Sequence, residues 1–292
     1  MASNGDKCEC KFVMPPKKKP KEGVIPKVKD LTGGPATKVP PPEKVMRKLG
    51  DASMVVGVDI ETADWVERKN NTSKGQFGFY HFCHPDDYSQ KIVQIGWALG
   101  GSREGGPLLH SNECLVQPVG FAIAEKATQK HGISQDDAMQ NGRPLVEVLT
   151  DFMIMVDQAE AIGARLVAHH LEFDAGIIDR QLHDAGLDHK SAQWREFARK
   201  GFCTMDPDVG AWAQRCMGRD VSPDERSAPM MSLRSATNLL LPKTDLVEHL
   251  QKYHHTAGAD AQLHRLLYIA LRSLVRANQE PQTGGPAEEC SR

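Results

Sequence analysis

One segment, residues 54–61, constrains the fold of this 292-residue chain more than any other. It is dense in valine and predicts a strand whose side chains point alternately to opposite faces, with the apolar face packed on helices. The apolar face consists of Val56, Val58 and Ile60. On the opposite face Asp59 and Glu61 stand two residues apart, close enough to hold one cation between them, and Gly57 leaves open space for a ligand.

Two further segments place acidic residues next to predicted element ends. Asp174 follows a short apolar strand, residues 165–168, at the first turn of a helix, and His255 and Asp260 precede a long helix. Each acid taken alone is typical of a helix first turn, where the helix dipole stabilises it. Four carboxylates that converge would repel one another unless divalent cations neutralise them, and a neighbouring histidine can take a proton from water. Together they indicate two-metal hydrolysis of a phosphodiester.

The order of predicted elements indicates an α/β fold. Residues 91–99 and 112–116 predict a second and a third strand, which with the first form an antiparallel meander. Helices then dominate, interrupted by the fourth strand over residues 165–168, so we expect a mixed sheet flanked by helices. The predicted helices span residues 124–131, 144–159, 173–185, 191–200, 209–216, 232–239 and 261–277.

The ends of the chain differ in composition from its body. Residues 1–50 are rich in lysine and proline, with twelve basic residues against five acidic ones, which predicts a disordered tail of net charge +7. The basic cluster at residues 15–21, with Lys17 to Lys21 at its centre, is typical of a nuclear-import signal, a phosphate-binding arm or a solvated tail. Residues 51–278 are expected to form one folded domain, followed by a second disordered tail over residues 279–292.

Composition excludes several classes of protein. No apolar run approaches the roughly 20 residues of a membrane span, and the polar N-terminus does not resemble a secretory signal. The seven cysteines are odd in number and irregularly spaced, so they predict reduced thiols in an intracellular protein, nuclear if the basic cluster directs import and otherwise cytoplasmic. The absence of a C-x-x-C pair argues against a structural zinc site.

The acidic segments carry a specific resemblance. In order and spacing they are similar to the three motifs of the DEDDh 3′→5′ exonucleases, the family of the proofreading epsilon subunit, RNase T and oligoribonuclease. The three segments are Val58-Asp59-Ile60-Glu61-Thr62, Val167-Ala168-His169-His170-Leu171-Glu172-Phe173-Asp174 and His255-x-x-x-x-Asp260. The similarity runs from about residue 54 to residue 275 and includes residues 127–134, which resemble the connecting region of the family. It implies a ribonuclease H-like fold.

The resemblance also implies a role for each motif residue. Asp59, Glu61, Asp174 and Asp260 would bind two Mg²⁺ or Mn²⁺ ions. One ion would lower the pKa of the attacking water and the other would stabilise the leaving 3′-oxygen, while His255 would act as general base. In the tyrosine branch of the superfamily a tyrosine stands four residues before the last aspartate, a position that Thr256 occupies here, so the histidine branch fits better.

Two positions depart from the family pattern, and both concern the substrate. Thr62 is followed by Ala63 and Asp64 where the family has glycine, so the close backbone approach that glycine permits is not expected. His170 replaces the usual asparagine. Thr62 and His170 remain the predicted substrate-binding residues.

These features predict a metal-dependent 3′→5′ exonuclease that releases nucleoside 5′-monophosphates from a single-stranded 3′ end of DNA or RNA. Two alternatives stay open: a non-catalytic nucleic-acid-binding protein with the same fold, and an exoribonuclease that trims RNA only. The aromatic cluster at residues 77–82 would stack on bases or pack under its loop, and His81, Cys83 and His84 are a weak metal candidate. No membrane partner is expected, and the oligomeric state is open.

Overall fold

The computed structural model of the protein describes residues 39–64, 90–221 and 231–279. Five strands form one mixed sheet in the order β3-β2-β1-β4-β5. The strands are β1 (Met54–Thr62), β2 (Ile92–Gly101), β3 (Leu108–Leu115), β4 (Arg165–Ala168) and β5 (Phe202–Cys203). Pairing is antiparallel between β1, β2 and β3, and parallel from β1 to β4 and from β4 to β5. The predicted α/β class, with its antiparallel meander followed by parallel strands, is confirmed.

Helices cover both faces of this sheet. Within the described ranges they are α1 (Glu43–Leu49), α2 (Glu125–His131), α3 (Gln135–Asn141), α4 (Leu145–Ala161), α5 (Leu171–Asp184), α6 (Asp188–Arg199), α7 (Pro207–Cys216), α8 (Leu233–Leu240), α9 (Asp245–Lys252) and α10 (Ala257–Gln279). All seven predicted helices are present. Helices α1, α3 and α9 and the two-residue strand β5 were not predicted.

The apolar face of β1 packs against α4, α5 and α6, as the alternation of its side chains predicted. Val56, Val58 and Ile60 lie in the same buried cluster as Phe152 of α4. Trp97 of β2 meets Phe152 edge to face, with ring centroids 5.7 Å apart. Trp97 is therefore part of the core.

The opposite face of β1 packs against α10, which corrects one expectation from the sequence. Gly57 does not leave open space for a ligand, because a Cβ at this position would lie 1.9 Å from the backbone oxygen of Ala261. At Gly96 of β2, a Cβ would lie 2.4 Å from the backbone oxygen of Ala257. Glycine is required at both positions because the helix backbone lies directly on the strands. This close approach brings the first turn of α10 to the carboxylate-bearing end of β1.

Helix α1 lies just before the predicted start of the folded domain at residue 51 and packs on the folded body. Val45 and Leu49 of α1 are fully buried, and Lys48 binds Asp206 at 2.8 Å and Asp208 at 2.6 Å. Arg165 donates a hydrogen bond of 2.6 Å to the carbonyl of Leu49, tying α1 to β4. The lysine-rich composition made this helix resemble a tail, although Lys48 binds Asp206 and Asp208 and the side chains of Val45 and Leu49 fill the core.

Several predictions fall outside the described residues. They concern most of the N-terminal tail with its basic cluster (residues 15–21), the aromatic cluster (residues 77–82), the candidate ligands His81, Cys83 and His84, and nearly all of the C-terminal tail. These stay predictions, as does the domain division itself. Among the described helices, none combines the length and apolarity needed to cross a membrane.

Candidate active site

Strand β1 ends in two carboxylates that lie against α10. Asp59 is paired with Gly96 of β2 and is 14% exposed at its side chain, and Glu61 is paired with Gln94 and buried. Carboxylate oxygens of Asp59, Glu61 and Asp260 lie within 4.8 Å of one another. Asp260 of α10 is more than 190 positions away in sequence from the two acids of β1. The three side chains therefore form one cluster of carboxyl groups only in the folded protein.

The start of α10 is anchored by side chains from the sheet. The backbone N–H of Ala257 donates to Oε1 of Gln94 at 2.8 Å, and that of Gly258 donates to Oε2 of Glu113 at 2.7 Å. The first N–H groups of a helix have no partner within the helix, so β2 and β3 supply acceptors for them. This anchoring sets the position of Asp260, which lies in the first turn and is 3% exposed.

Both oxygens of the Asp260 carboxylate are held by the residues just before α10. His254 Nδ1 lies 2.9 Å from Oδ1, and the backbone N–H of His255 donates to Oδ2 at 3.2 Å. His255 has a φ of 72°, the left-handed region, which turns the chain between α9 and α10. Its imidazole stacks on that of His254 with centroids 3.8 Å apart. The predicted general base therefore lies beside Asp260, as the resemblance implied.

Asp174 of α5 lies near enough to this cluster for its charge to raise the pKa of Asp59 and of Glu61. His170 adopts the left-handed conformation at the start of α5, so that the helix begins directly after β4 and places Asp174 in its first turn. The Asp174 carboxylate is 3% exposed and accepts a hydrogen bond from the backbone N–H of Ile60. Its Oδ2 is buried and has no hydrogen-bond partner within the described part of the chain. A buried carboxylate oxygen of this kind is suited to a cation.

Burial and mutual repulsion both oppose ionisation of this cluster. Burial is the largest cause that raises the pKa of Glu61 from its ordinary value of 4.5 to about 8, and the charge of Asp260 adds to it. Burial likewise holds the pKa of Asp59 and of Asp174 well above the usual range, again with repulsion from Asp260. The positive charge of Lys130, at the end of α2, favours the ionised forms of Glu61 and Asp59 but does not outweigh burial. The cluster is therefore a candidate site for divalent cations.

The stability of the metal-free protein is expected to fall as pH rises from about 7 to about 8. Glu61 has an ordinary pKa of 4.5 and a folded-state pKa of about 8, so between these values the folded protein holds a proton that the unfolded chain has already lost, and the stabilisation that this proton provides falls with rising pH until it is lost above about 8. The expected slope is about 1 kcal/mol per pH unit in the free energy of unfolding. Chemical denaturation in a chelator would measure this slope.

Excess Mn²⁺ should flatten that dependence, because a bound cation favours the ionised carboxylates. A Glu61→Gln variant is the control and should show a shallower slope in the chelator, because it lacks the Glu61 proton while Asp59 and Asp174 keep their raised pKa values. A metal-free protein whose stability rises over the same pH range would contradict the assignment of a buried, protonated carboxyl cluster.

Comparison with known proteins agrees with this geometry. No protein-family model matches the chain. In sequence it is 33% identical to the PolC-type DNA polymerase III of Lactococcus lactis over 96 residues, which are 33% of this chain and 5% of the polymerase. In structure it is similar to E. coli exonuclease I bound to a dA13 oligonucleotide, with a TM-score of 0.51, 14% identity and coverage of 78% of this chain and 41% of that chain.

A second exonuclease I structure, in complex with a dA16 oligonucleotide, gives a TM-score of 0.53 with 13% identity over 77% of this chain and 42% of that one. Exonuclease I is a DEDDh 3′→5′ exonuclease with the ribonuclease H-like fold. The chain shares this fold. The ribonuclease H-like fold expected from the sequence is thereby confirmed. The chain spans about two-fifths of the exonuclease I chains and a small part of the polymerase.

The two predicted substrate-binding residues adjoin the segments that carry the acids, because Thr62 follows Glu61 on β1 and His170 precedes α5. Thr62 is half-buried, its hydroxyl donates to the carbonyl of Asp64 at 3.1 Å, and its own carbonyl lies 3.3 Å from Nε2 of His131. Because His131 Nδ1 accepts from the backbone N–H of Ile133, its Nε2 carries the proton and donates to Thr62. His170 stacks on Phe173 with centroids 5.7 Å apart. Substrate contact by Thr62 and His170 stays a prediction.

Sequence reasoning missed a buried histidine behind Asp59. His264 of α10 is fully buried, and its Nδ1 donates to the carbonyl of Val58 at 2.8 Å, leaving Nε2 3.7 Å from Oδ1 of Asp59. Burial lowers its pKa to about 4, so the ring is neutral at neutral pH. The signal was present in the sequence, because His264 follows Asp260 by four residues and therefore shares its face of the helix.

Proposed function

We propose that this protein is a metal-dependent 3′→5′ exonuclease that hydrolyses phosphodiester bonds at the 3′ end of DNA or RNA and releases nucleoside 5′-monophosphates. The observation that supports the proposal is that Asp59, Glu61 and Asp260 lie together where β1 meets α10, with His255 beside Asp260. The charge of Asp174 on α5 also acts on Asp59 and Glu61. In a ribonuclease H-like fold, this combination supports hydrolysis of a phosphodiester.

The donor atoms fit Mg²⁺ or Mn²⁺. The cluster offers carboxylate oxygens, which hard divalent cations prefer, and the Oδ2 atom of Asp174 is buried without a hydrogen-bond donor. Asp59, Glu61, Asp174 and Asp260 would hold two such ions. When bound, these ions would lower the pKa of a water molecule and stabilise the charge that develops on the leaving 3′-oxygen.

In this proposal His255 would accept the proton of the attacking water. Burial, followed by the nearby charge of His254, lowers its pKa to about 4, so the ring is neutral at neutral pH and can take a proton. The adjacent Asp260 carboxylate favours the protonated ring and so stabilises the imidazolium while it exists. The low pKa then favours release of that proton to solvent, which prepares the base for the next cleavage.

The substrate would approach over the rim formed by Thr62 and His170. His170 and Phe173 present stacked rings next to the turn that carries Asp174, and such a surface suits an unpaired terminal base. The similar proteins include a DNA polymerase and an exonuclease bound to oligodeoxynucleotides, which makes single-stranded DNA the first substrate to test. Single-stranded RNA of the same sequence is the necessary comparison, because an RNA-trimming enzyme is the main alternative.

Digestion of matched single-stranded DNA and RNA, each labelled at the 5′ end, tests the proposal. We expect a ladder that shortens from the 3′ end in Mg²⁺ or Mn²⁺, nucleoside 5′-monophosphates as products, and no shortening in a chelator. An identical oligonucleotide with a blocked 3′ terminus is the control and should resist. Binding of the oligonucleotide without any shortening would indicate a non-catalytic module and overturn the proposal.

Replacing His255 by asparagine should reduce the turnover rate about 10²- to 10⁴-fold while the affinity for Mn²⁺ changes little. Asparagine keeps a polar group of similar size but cannot accept the water proton. Single-turnover rates and calorimetric Mn²⁺ titration measure the two quantities.

The matched control is the same substitution at His249, an exposed residue of α9 whose ring packs at a tilt against Tyr253. His249→Asn should leave the turnover rate within about twofold of the parent, as surface changes away from special features usually do. Near-parent turnover in His255→Asn would remove this residue from the mechanism.

A further inference from the structure

A second candidate metal site overlaps the first and has different donor atoms. His254, His255 and Asp260 each offer one ligand atom, and the three atoms lie within 4.8 Å of one another. This set, two imidazoles and one carboxylate, is defined here as the histidine cluster. It shares Asp260 with the all-carboxylate cluster, but both of its other donors are nitrogens.

The histidine cluster is held together by the chain itself. The left-handed conformation of His255, at φ 72°, reverses the chain so that consecutive side chains fall side by side with ring centroids 3.8 Å apart. Side chains of adjacent residues in a strand would instead point to opposite faces. His254 is already oriented by Asp260, with 2.9 Å between Nδ1 and Oδ1. Two imidazoles and a carboxylate are thus gathered before any cation arrives.

The donor set matches a borderline cation better than it matches Mg²⁺. Imidazole suits Zn²⁺ and related ions, whereas Mg²⁺ prefers carboxylate, carbonyl and water oxygens. Zinc–nitrogen bonds of about 2.0 to 2.1 Å place neighbouring ligands of a tetrahedral site roughly 3.3 Å apart, which small side-chain rotations of the cluster would reach. Three protein ligands would leave one position for water. His254 is 20% exposed, so an ion can enter from solvent.

We propose that His254, His255 and Asp260 bind one Zn²⁺ ion and that this ion inhibits the enzyme. Binding occupies the imidazole of His255 that would otherwise accept the water proton, and it withdraws Asp260 from the carboxylate cluster. Any proton displaced from His254 or His255 passes to the buffer. The inhibitory part rests on the proposed exonuclease function, whereas the binding part does not.

Calorimetric titration of the full-length chain with Zn²⁺ in saturating Mg²⁺ tests the binding part. The parent should bind one Zn²⁺ at this site, and His254→Asn should weaken that event by about 10- to 100-fold or more, since outer-shell changes alone cost this much. His249→Asn should bind like the parent. Because cysteine thiolates also bind Zn²⁺, the comparison between variants decides the result. Thermal unfolding confirms that each variant is folded, and His255→Asn is a second variant expected to weaken binding.

The oligonucleotide assay with the same variants tests the inhibitory part of the proposal. Zn²⁺ added to the Mg²⁺-supported parent should inhibit it, a chelator should restore activity, and inhibition of His254→Asn should require about 10-fold more Zn²⁺ or more. Equal zinc affinity in the parent and His254→Asn overturns the site. If the parent has no nuclease activity but His254→Asn still binds zinc more weakly than the parent does, the proposed function is overturned and the zinc site remains supported.

Discussion

Asp59→Asn should lower the exonuclease rate about 10³-fold or more and at the same time stabilise the metal-free protein. The rate falls because asparagine cannot carry the charge that holds a cation at this end of β1, and metal stabilisation of the transition state is worth several kcal/mol. Stability rises because the substitution removes a buried acid whose ionisation burial and the charge of Asp260 both oppose. We expect a gain of about 1 kcal/mol in the free energy of unfolding, within the range usual for stabilising changes.

Single-turnover digestion and chemical denaturation in a chelator measure these two effects. Asp136→Asn is the matched control, because Asp136 is an exposed acid in the first turn of α3, where the same substitution should leave the rate unchanged. A lower exonuclease rate together with a higher free energy of unfolding distinguishes a loss of metal binding from misfolding, because a misfolded variant would lose both rate and stability. An Asp59→Asn variant with the exonuclease rate of the parent would contradict the assignment of Asp59 as a metal ligand.

Gly57→Ala should destabilise the protein by roughly 3 kcal/mol or more and lower its unfolding midpoint by about 6 to 12 °C. The added Cβ would lie 1.9 Å from the backbone oxygen of Ala261, and neither β1 nor α10 can yield locally because both are continuous elements of the core. Helix α10 would have to move off the sheet. That movement separates Asp260 from Asp59 and Glu61, so exonuclease activity should fall as well.

The control for Gly57→Ala is Gly210→Ala in the middle of α7. A Cβ there meets Met231 at 3.9 Å, an ordinary contact, and alanine is the better helix former by about 0.5 to 1 kcal/mol. Gly210→Ala should therefore unfold at the same temperature as the parent or a higher one. Thermal unfolding followed by circular dichroism measures both variants, and a Gly57→Ala midpoint equal to that of the parent would contradict the packing of α10 on β1.

The elements that could be predicted from sequence are those with a long hydrophobic period or a dense apolar run. Strand β1 and helix α4 show such patterns and were found close to their predicted limits. Helix α9 was missed because only Val247 and Leu250 of its eight residues are buried, too few to show a period. Helix α1 was assigned to the tail because its lysines resemble those of residues 1–38, although they bind Asp206 and Asp208.

Gly57 illustrates a different kind of error. The alternation of β1 correctly placed it on the same face as Asp59 and Glu61, but alternation does not say what covers a face. A glycine beside two acids fits a ligand pocket and a helix contact equally well in sequence. The contact with Ala261 lies 204 positions along the chain, so the sequence around Gly57 carries no trace of it.

The sequence by itself determined the class of the fold and the identity of the acids, because strand alternation, helix periodicity and motif spacing are local properties of the chain. Only the tertiary structure decided which acids are buried together, that α10 lies directly on β1, and that His264 stands behind Asp59. It also decided that His254 and His255 stack beside Asp260. These outcomes depend on contacts between distant segments, whose burial and charge repulsion arise only once the chain has folded.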